Sequence, residues 1–225
     1  MLTRSLAALT VIALSTLTAC SGDDDGDTAT DPSSQSQAAS GVSCDYTTTG
    51  QAAKDVEPPP SEATVAGDVD VTITTGVGDL AATLDADATP CTVNSFVSLA
   101  EQGYFDGTSC HRLTTGGIFV LQCGDPTGTG MGGPGYQFDD ELSGEETYPA
   151  GTLAMANAGP GTNGSQFFIV YADTQLPAAY TVFGTVDDAS VKIVQDVADK
   201  GTDDANGPGD GAPKQAVDIE SVTVS

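Results

Sequence analysis

The chain is 225 residues long and 39% hydrophobic, with 27 Gly, 12 Pro and a formal net charge of −26; that holds one ordinary domain with tails or two small ones, with many turns and some unfolded length. Six Lys and Arg against 32 Asp and Glu exclude a nucleic-acid binder, which needs clustered cations to neutralise phosphates, and docking on anionic lipid through a basic patch. A single His excludes a His-rich metal site, and five Cys without a CxxC pair exclude a zinc ribbon or a thioredoxin-like motif, so neither metal nor cofactor is expected.

Residues 1–20 read MLTRSLAALTVIALSTLTAC. Arg4 gives a short positive region, and the apolar run from Ser5 to Leu17 is shorter than the ~20 residues that span a bilayer. This is the pattern of an export signal over residues 1–19. Leu17-Thr18-Ala19-Cys20 resembles a bacterial lipobox, which implies acylation of Cys20 and anchorage of an exported protein on the outer face of the cell membrane. The segment 20–43 is Asp- and Ser-rich with almost no large apolar residue. It cannot bury enough surface to offset its ordering entropy, and is expected to be a solvated tether. The remaining cysteines, Cys44, Cys91, Cys110 and Cys123, are an even number in an exported chain, which suggests two disulfides. Three pairings are possible and spacing does not choose among them.

Residues 44–68 stay Pro-rich (Pro58-Pro59-Pro60) and read as an extension pinned ahead of a domain over 69–225. Val69, Val71 and Ile73 alternate, Gly76 and Gly78 turn the chain, and residues 80–84 return it as a hairpin. Thr89-Pro90 opens a helix, with Val93, Phe96, Val97 and Ala100 on one side and Gly103 as its stop. Short apolar runs broken by Gly and Pro follow, as in a barrel or sandwich. A second helix is expected from about Ser190 to Lys200, ended by Gly201, and a last strand over Val217 to Val224.

Several motifs do not hold. Gly128 to Gly133 spells GxGxxG, but Pro134-Gly135 follows, so no helix opens to receive a dinucleotide phosphate. The acidic runs lack calcium-loop spacing, and no nucleophile elbow is present. What remains is one arginine. With Arg4 in the leader, the rest of the chain carries a single guanidinium, Arg112, beside the single imidazole, His111. On a strand, these two point to opposite faces.

Cys110-His111-Arg112-Leu113, Gln122-Cys123-Gly124-Asp125-Pro126, the block from Met155 to Ile169 and Val182-Phe183-Gly184 together resemble the cyclophilins, in particular the lipobox-bearing secreted cyclophilins of actinobacteria. The resemblance covers about residues 69–225. It implies a mainly β fold, a closed eight-stranded antiparallel barrel with two capping helices, and peptidyl-prolyl cis–trans isomerase activity. The catalytic Arg falls on Arg112. An apolar floor for the proline ring falls on Phe119, Val120, Phe168 and Leu176, and a polar wall on Gln122 and Gln166. The backbone of Asn157, with Ala156 and Ala158 beside it, would hold the extended substrate, and Tyr180 stands where many members have His. Three departures accompany it: the turn Thr114 to Gly117 is longer than usual, Gln175 replaces a Trp and bears on cyclosporin binding, and Cys123 replaces a Gly.

The partners implied are proline-containing polypeptides and, through the lipid anchor, a membrane; a monomer is expected. The competing reading is a cyclophilin-like module that grips Pro-containing loops with little turnover, and a third is an acidic structural lipoprotein. Arg112 favours the isomerase, because a module that only binds has no use for a guanidinium at that place.

Overall fold

The computed structural model describes residues 41–225. The expected leader over 1–19, Cys20 and the expected tether as far as residue 40 lie outside the described residues. The first described segment is fastened down. Its strands are β1 (Val42–Ser43), β2 (Thr47–Thr48) and β3 (Glu62–Ala63). Pairing of β1 with β3 places the end of the expected tether in regular structure. A disulfide joins Cys44 to Cys91.

The hairpin is present: β4 (Asp68–Thr75) and β5 (Gly78–Asp85) pair antiparallel from Asp68↔Asp85 to Thr75↔Gly78. Helix α1 (Pro90–Glu101) follows. Thr89 makes no side-chain cap. The role passes to Glu141, whose carboxylate accepts the N–H groups of Cys91 (3.0 Å) and Thr92 (2.8 Å) and the Thr92 hydroxyl (2.7 Å). A carboxylate there meets unpaired N–H groups and the positive end of the helix dipole. Phe96 of this helix stacks on Phe105 and meets Phe167 and Phe183, so α1 covers one end of the core.

The sheet continues through β6 (Thr108–Ser109), β7 (Arg112–Thr114), β8 (Val120–Cys123), β9 (Tyr136–Gln137), β10 (Thr152–Met155), β11 (Phe167–Val170) and β12 (Val182–Val186). Helix α2 (Asp188–Ala198) begins two residues before the expected start, because the Asp187 side chain caps it by accepting the Ser190 N–H at 2.7 Å. The chain ends in β13 (Asp210–Gly211) and β14 (Asp218–Val224). The large sheet runs β13-β7-β8-β11-β10-β12-β5-β4-β14-β6, with every pairing antiparallel.

The fold is therefore mainly β with two helices. The sheet counts ten strands and not eight, because Cys110 and His111 divide one run into β6 and β7, and β13 is a short addition. β6 pairs with β14 while β7 pairs with β8, and the Cys110 N–H donates to Val217 O at 2.9 Å between them. The second disulfide, Cys110–Cys123, lies beside this junction.

Two apolar clusters result. The main core holds Leu113, Leu121, Leu153, Phe167 and Ile169 among its buried side chains. On the other face of the same strands, Val120, Ala154, Phe168 and Val170 form a smaller cluster with Tyr148. Strands β10 and β11 are consequently buried at every position, and read as continuous apolar runs rather than alternating ones.

Replacement of Glu141 by Ala should lower the unfolding free energy by about 1–2 kcal/mol, the usual cost of a lost cap. Chemical denaturation checks this; an unchanged midpoint would mean that water caps α1 equally well.

Candidate active site

Register builds the site. In antiparallel strands, residues directly opposite one another project from the same face. Arg112 opposes Gln122, Gln122 opposes Phe168, Phe168 opposes Ala154, and Ala154 opposes Val182. One row across five strands, β7-β8-β11-β10-β12, thus carries a guanidinium, an amide, an aromatic ring and two small apolar side chains. With neighbouring strands about 4.8 Å apart, Arg112 and Phe168 stand on strands separated only by β8.

Asp210 on β13 holds the guanidinium: Arg112 Nε donates to Oδ1 at 2.8 Å and Nη2 to Oδ2 at 2.6 Å. A guanidinium has five N–H donors in a rigid fork, so this two-toothed contact leaves Nη1 and one Nη2 hydrogen for other partners. The Arg112 side chain is 35% exposed and that of Asp210 27%, which places the pair at a surface groove. The hydrogen bonds from Arg112 hold the Asp210 carboxyl below its usual range, and Asp210 in turn raises the guanidinium, with a smaller electrostatic contribution from Tyr180.

The apolar slot follows along the row. Phe168 meets Tyr180 edge-on at 5.5 Å between ring centroids and lies 6.4 Å from Tyr148. Leu176, Ala156 and Ile118 pack against the same cluster. The single hydrogen of the Tyr148 hydroxyl is shared between the carbonyls of Pro177 (3.2 Å) and Tyr180 (3.1 Å), and its oxygen accepts the Tyr180 N–H, so it fixes the loop that carries Leu176 and Tyr180.

Phe119 has different neighbours from the other expected floor residues. It packs against the main core and meets Tyr171 edge-on at 5.9 Å, apart from Val120 and Phe168. Ile118 packs against the cluster that holds Val120 and Phe168.

The polar side is a relay of amides. Gln122 Nε2 donates to Gln166 Oε1 at 2.8 Å, and Gln166 Nε2 donates to the carbonyls of Gly130 (3.0 Å) and Gly132 (2.9 Å). The GxGxxG stretch is therefore a turn-rich loop and opens no helix. Buried Asp125 organises it by accepting from Thr127 N (2.7 Å), Thr129 N (3.1 Å) and Gly130 N (2.7 Å). Burial pushes the Asp125 pKa up, but hydrogen bonds from the Thr127 hydroxyl and from the main chain of Gly132, Thr127 and Gly130 outweigh it and hold the carboxyl low. A Cβ on Gly132 would collide with the Asp125 carboxylate.

Across the slot, the Asn157 amide is spent on structure: Nδ2 donates to Ala179 O (2.9 Å) and Asp140 Oδ1 (3.3 Å). The Ala158 N–H goes to Thr162 Oγ1 and the Ala156 N–H to Gln166 O. Among the described residues none bonds the main-chain N–H or C=O of Asn157.

His111 sits apart from Arg112, as alternation requires. Both ring nitrogens are buried without a hydrogen-bond partner among the described residues, beside Gly130. Burial pushes its pKa down, against the opposing effect of Asp125, so the ring is neutral. Among the described residues no cluster of His, Cys, Asp and Glu could hold a metal ion, and no helix is long and apolar enough to cross a membrane.

The fold and this groove define a β-sheet domain with one cation set beside an apolar slot. The family model described as cyclophilin type peptidyl-prolyl cis-trans isomerase/CLD matches residues 70–224, and the chain belongs to that family. It is similar to the probable peptidyl-prolyl cis-trans isomerase B of Mycobacterium tuberculosis (strain ATCC 25618 / H37Rv), with 51% identity over 167 residues, covering 68% of this chain and 54% of the relative. The chain thus spans about half the length of that relative. The protein of the same description from Mycobacterium leprae (strain TN) is 45% identical over 207 residues, covering 85% of this chain and 70% of its own. A crystal structure of a Cryptosporidium parvum cyclophilin type peptidyl-prolyl cis-trans isomerase superposes with a TM-score of 0.62 at 34% identity, covering 70% of this chain and 98% of that one. The same parasite protein was also solved in the presence of the dipeptide Ala-Pro.

A folded-state His pKa below 6.5 means that the unfolded chain binds the proton first as the solution is acidified. Stability should therefore be lost as pH falls below about 6.5. His111→Gln should remove that part of the pH dependence in urea unfolding; an unchanged slope would assign it to carboxylates.

Proposed function

We propose that this protein is a peptidyl-prolyl cis–trans isomerase acting on X–Pro bonds of extended polypeptide segments. The observation that carries the reading is the cross-strand row itself, in which Arg112 and Phe168 flank Gln122 on one face.

Rotation about a peptide bond costs about 18–20 kcal/mol because of amide resonance. At X–Pro the two isomers lie close in energy but exchange over tens to hundreds of seconds. The catalyst needs neither nucleophile nor base; it must hold the twisted amide better than either planar form. Twisting gives the prolyl nitrogen back its lone pair. An N–H of Arg112 not taken by Asp210 donates to that lone pair only in the twisted state. The slot of Val120, Phe168, Leu176 and Tyr180 grips the ring, while Gln122, Gln166 and the open main chain of Asn157, between Ala156 and Ala158, align the peptide. A preformed donor in a dry wall needs little reorganisation as charge develops, and restraint of both ends of the bond lowers the entropic cost.

The cyclophilin-like domain spans 69–225. Closure of its sheet as an eight-stranded barrel is supported by the continuous run 108–114, which pairs with β14 at one end and β8 at the other. The protein acts as a monomer on exported polypeptides at the outer face of the cell membrane, held by a lipid on Cys20 and the tether 20–43. The export and lipobox patterns support this, as do two disulfides, which persist in oxidising compartments.

A proline-peptide isomerisation assay tests the reading. Arg112→Ala should reduce kcat/KM by about 10²–10³-fold with an unchanged circular dichroism spectrum; full activity would refute the assigned role. Asp210→Asn, which keeps the shape but loses the charge-assisted contact, should lower kcat more than it raises KM. Because neither Arg112 nor Asp210 titrates near neutrality and His111 is already neutral, kcat/KM should stay flat from about pH 6.5 to 9. A bell-shaped profile in that range would point to an ionisable catalyst instead.

A further inference from the structure

Strand β13 is two residues long and lies at one edge of the sheet, yet it carries the carboxylate that holds Arg112. Its ladder has two pairs, Asp210↔Thr114 and Gly211↔Leu113, too few to fix a strand by themselves. The loop ahead of it, residues 202–209, supplies what the ladder lacks. Asp203 Oδ1 accepts the N–H groups of Ala205 (3.1 Å) and Ala212 (2.9 Å). Asp204 Oδ1 accepts the Thr202 hydroxyl and the Gly209 N–H, each at 2.8 Å. Gly209 O accepts the Thr115 N–H at 2.8 Å, which ties the loop to the turn after β7. Asp204 is the one non-glycine among the described residues with a left-handed backbone, at φ 59°, a conformation that Asp tolerates better than most side chains.

Asn206 completes the arrangement. Its N–H donates to Asp210 O at 3.0 Å, and the Asp210 N–H donates to Gly207 O at 2.9 Å. Its Nδ2 donates to Asp210 Oδ1 at 3.2 Å, the oxygen that also accepts from Arg112 Nε. One residue thus grips Asp210 by main chain and side chain together. A carboxylate at a surface can turn about its own torsions, and a second donor on Oδ1 narrows that freedom. Once the carboxylate is set, the rigid fork of the guanidinium keeps Nη1 on the side away from Asp210. The neutrality of Asn206 matters as well. Asp203, Asp204 and Asp210 already place three carboxylates on this loop and strand. A fourth at position 206 would lose the donor and compete with Asp210 for the guanidinium.

We propose that the loop 202–209 is a positioning device for the Arg112 guanidinium, in which Asp204 sets the loop and Asn206 aims the Asp210 carboxylate. Asn206 is then a positioning residue for X–Pro isomerisation, although it is exposed and lies outside the cross-strand row. This rests on the isomerase reading and extends it beyond the Arg112–Asp210 pair. The donor is needed only at the twisted amide, so a small error in its aim costs turnover more than substrate binding.

The test uses the full chain in a proline-peptide isomerisation assay, with Asn206→Ala, Asn206→Asp and Asp204→Gly. Glycine adopts positive φ without steric cost, so Asp204→Gly removes the carboxylate and leaves the loop's backbone shape allowed. Asn206→Ala should lower kcat about three- to tenfold, the range of one exposed hydrogen bond to a charged group, with KM changed less than twofold. Asn206→Asp, nearly identical in shape, should lower kcat further, and Asp204→Gly should act in the same direction. Two readouts separate aim from loss of structure. In an Asp210→Asn background, Asn206→Ala should have little further effect on kcat, because it acts through that carboxylate. The nitrogen–proton correlation spectrum of the arginine Nε groups holds signals from Arg4 and Arg112 alone, and Arg112→Ala assigns them; the Arg112 signal should move in Asn206→Ala while that of Arg4 stays. Wild-type kcat in both Asn206 variants, a loss of the same size with and without the Asp210 carboxylate, or an unmoved Arg112 signal would overturn the proposal while leaving the isomerase reading intact. No turnover by wild type would overturn the isomerase reading and the catalytic role of Asn206 with it; the Arg112 signal would then still decide whether Asn206 positions the guanidinium.

Discussion

The site depends on strand register. A slip of one residue between β7 and β8 would send Arg112 to the face now held by Leu113, and the same slip between β8 and β11 would exchange Phe168 for Phe167 or Ile169. Strand β11 is apolar on both faces, so alternation alone does not select its register; Phe167 and Phe168 could each serve as core. The constraint comes from polar partners with only one compatible arrangement. Asp210 takes Arg112, Gln166 takes Gln122, and the Tyr171 hydroxyl donates to Thr114 O at 2.6 Å from the other side. The wrong register would bury a guanidinium without its carboxylate, at a cost well beyond that of a misplaced methyl group.

From that constraint the rest of the groove follows. Burial on both faces makes β10 and β11 a rigid floor. The loop of residues 125–132 is closed by Asp125 from within and by Gln166 from the groove, so its position is transmitted to Gln122 through hydrogen bonds and not through packing. Tyr148 does the same for the opposite rim. On the proposed isomerase reading, a substrate would therefore meet fixed walls, which is the condition under which a single donor can discriminate a twisted amide from a planar one.

The elements were legible where one face is wet. The β4–β5 hairpin and both helices follow from periodicity and punctuation, and the boundary of α2 differs only because Asp187 caps it. The groove strands were less legible because continuous apolar runs carry no phase. That is why Phe119 reads as groove from the motif and packs in the core in the structure, while Ile118 packs against the cluster of Val120 and Phe168. Asp210 could not be found from sequence: it is one acid among 32, and nothing in its neighbourhood marks it as the partner of Arg112. The cap by Glu141, 50 residues from Cys91, is hidden for the same reason. Disulfide pairing was open because four cysteines admit three arrangements. Residues 44–57 were legible only as part of an extension ahead of the domain, since two-residue strands leave no period to read.

The Cys110–Cys123 bridge closes the β7–β8 hairpin into a covalent ring that contains both Arg112 and Gln122 and has Gly116 and Gly117 exposed at its tip. A peptidase that cleaves at that tip leaves two chains joined by sulfur, with the strands that carry the guanidinium and the amide still tethered to each other. In an environment rich in secreted proteases, such a cut would open a loop without separating the two halves of the hairpin.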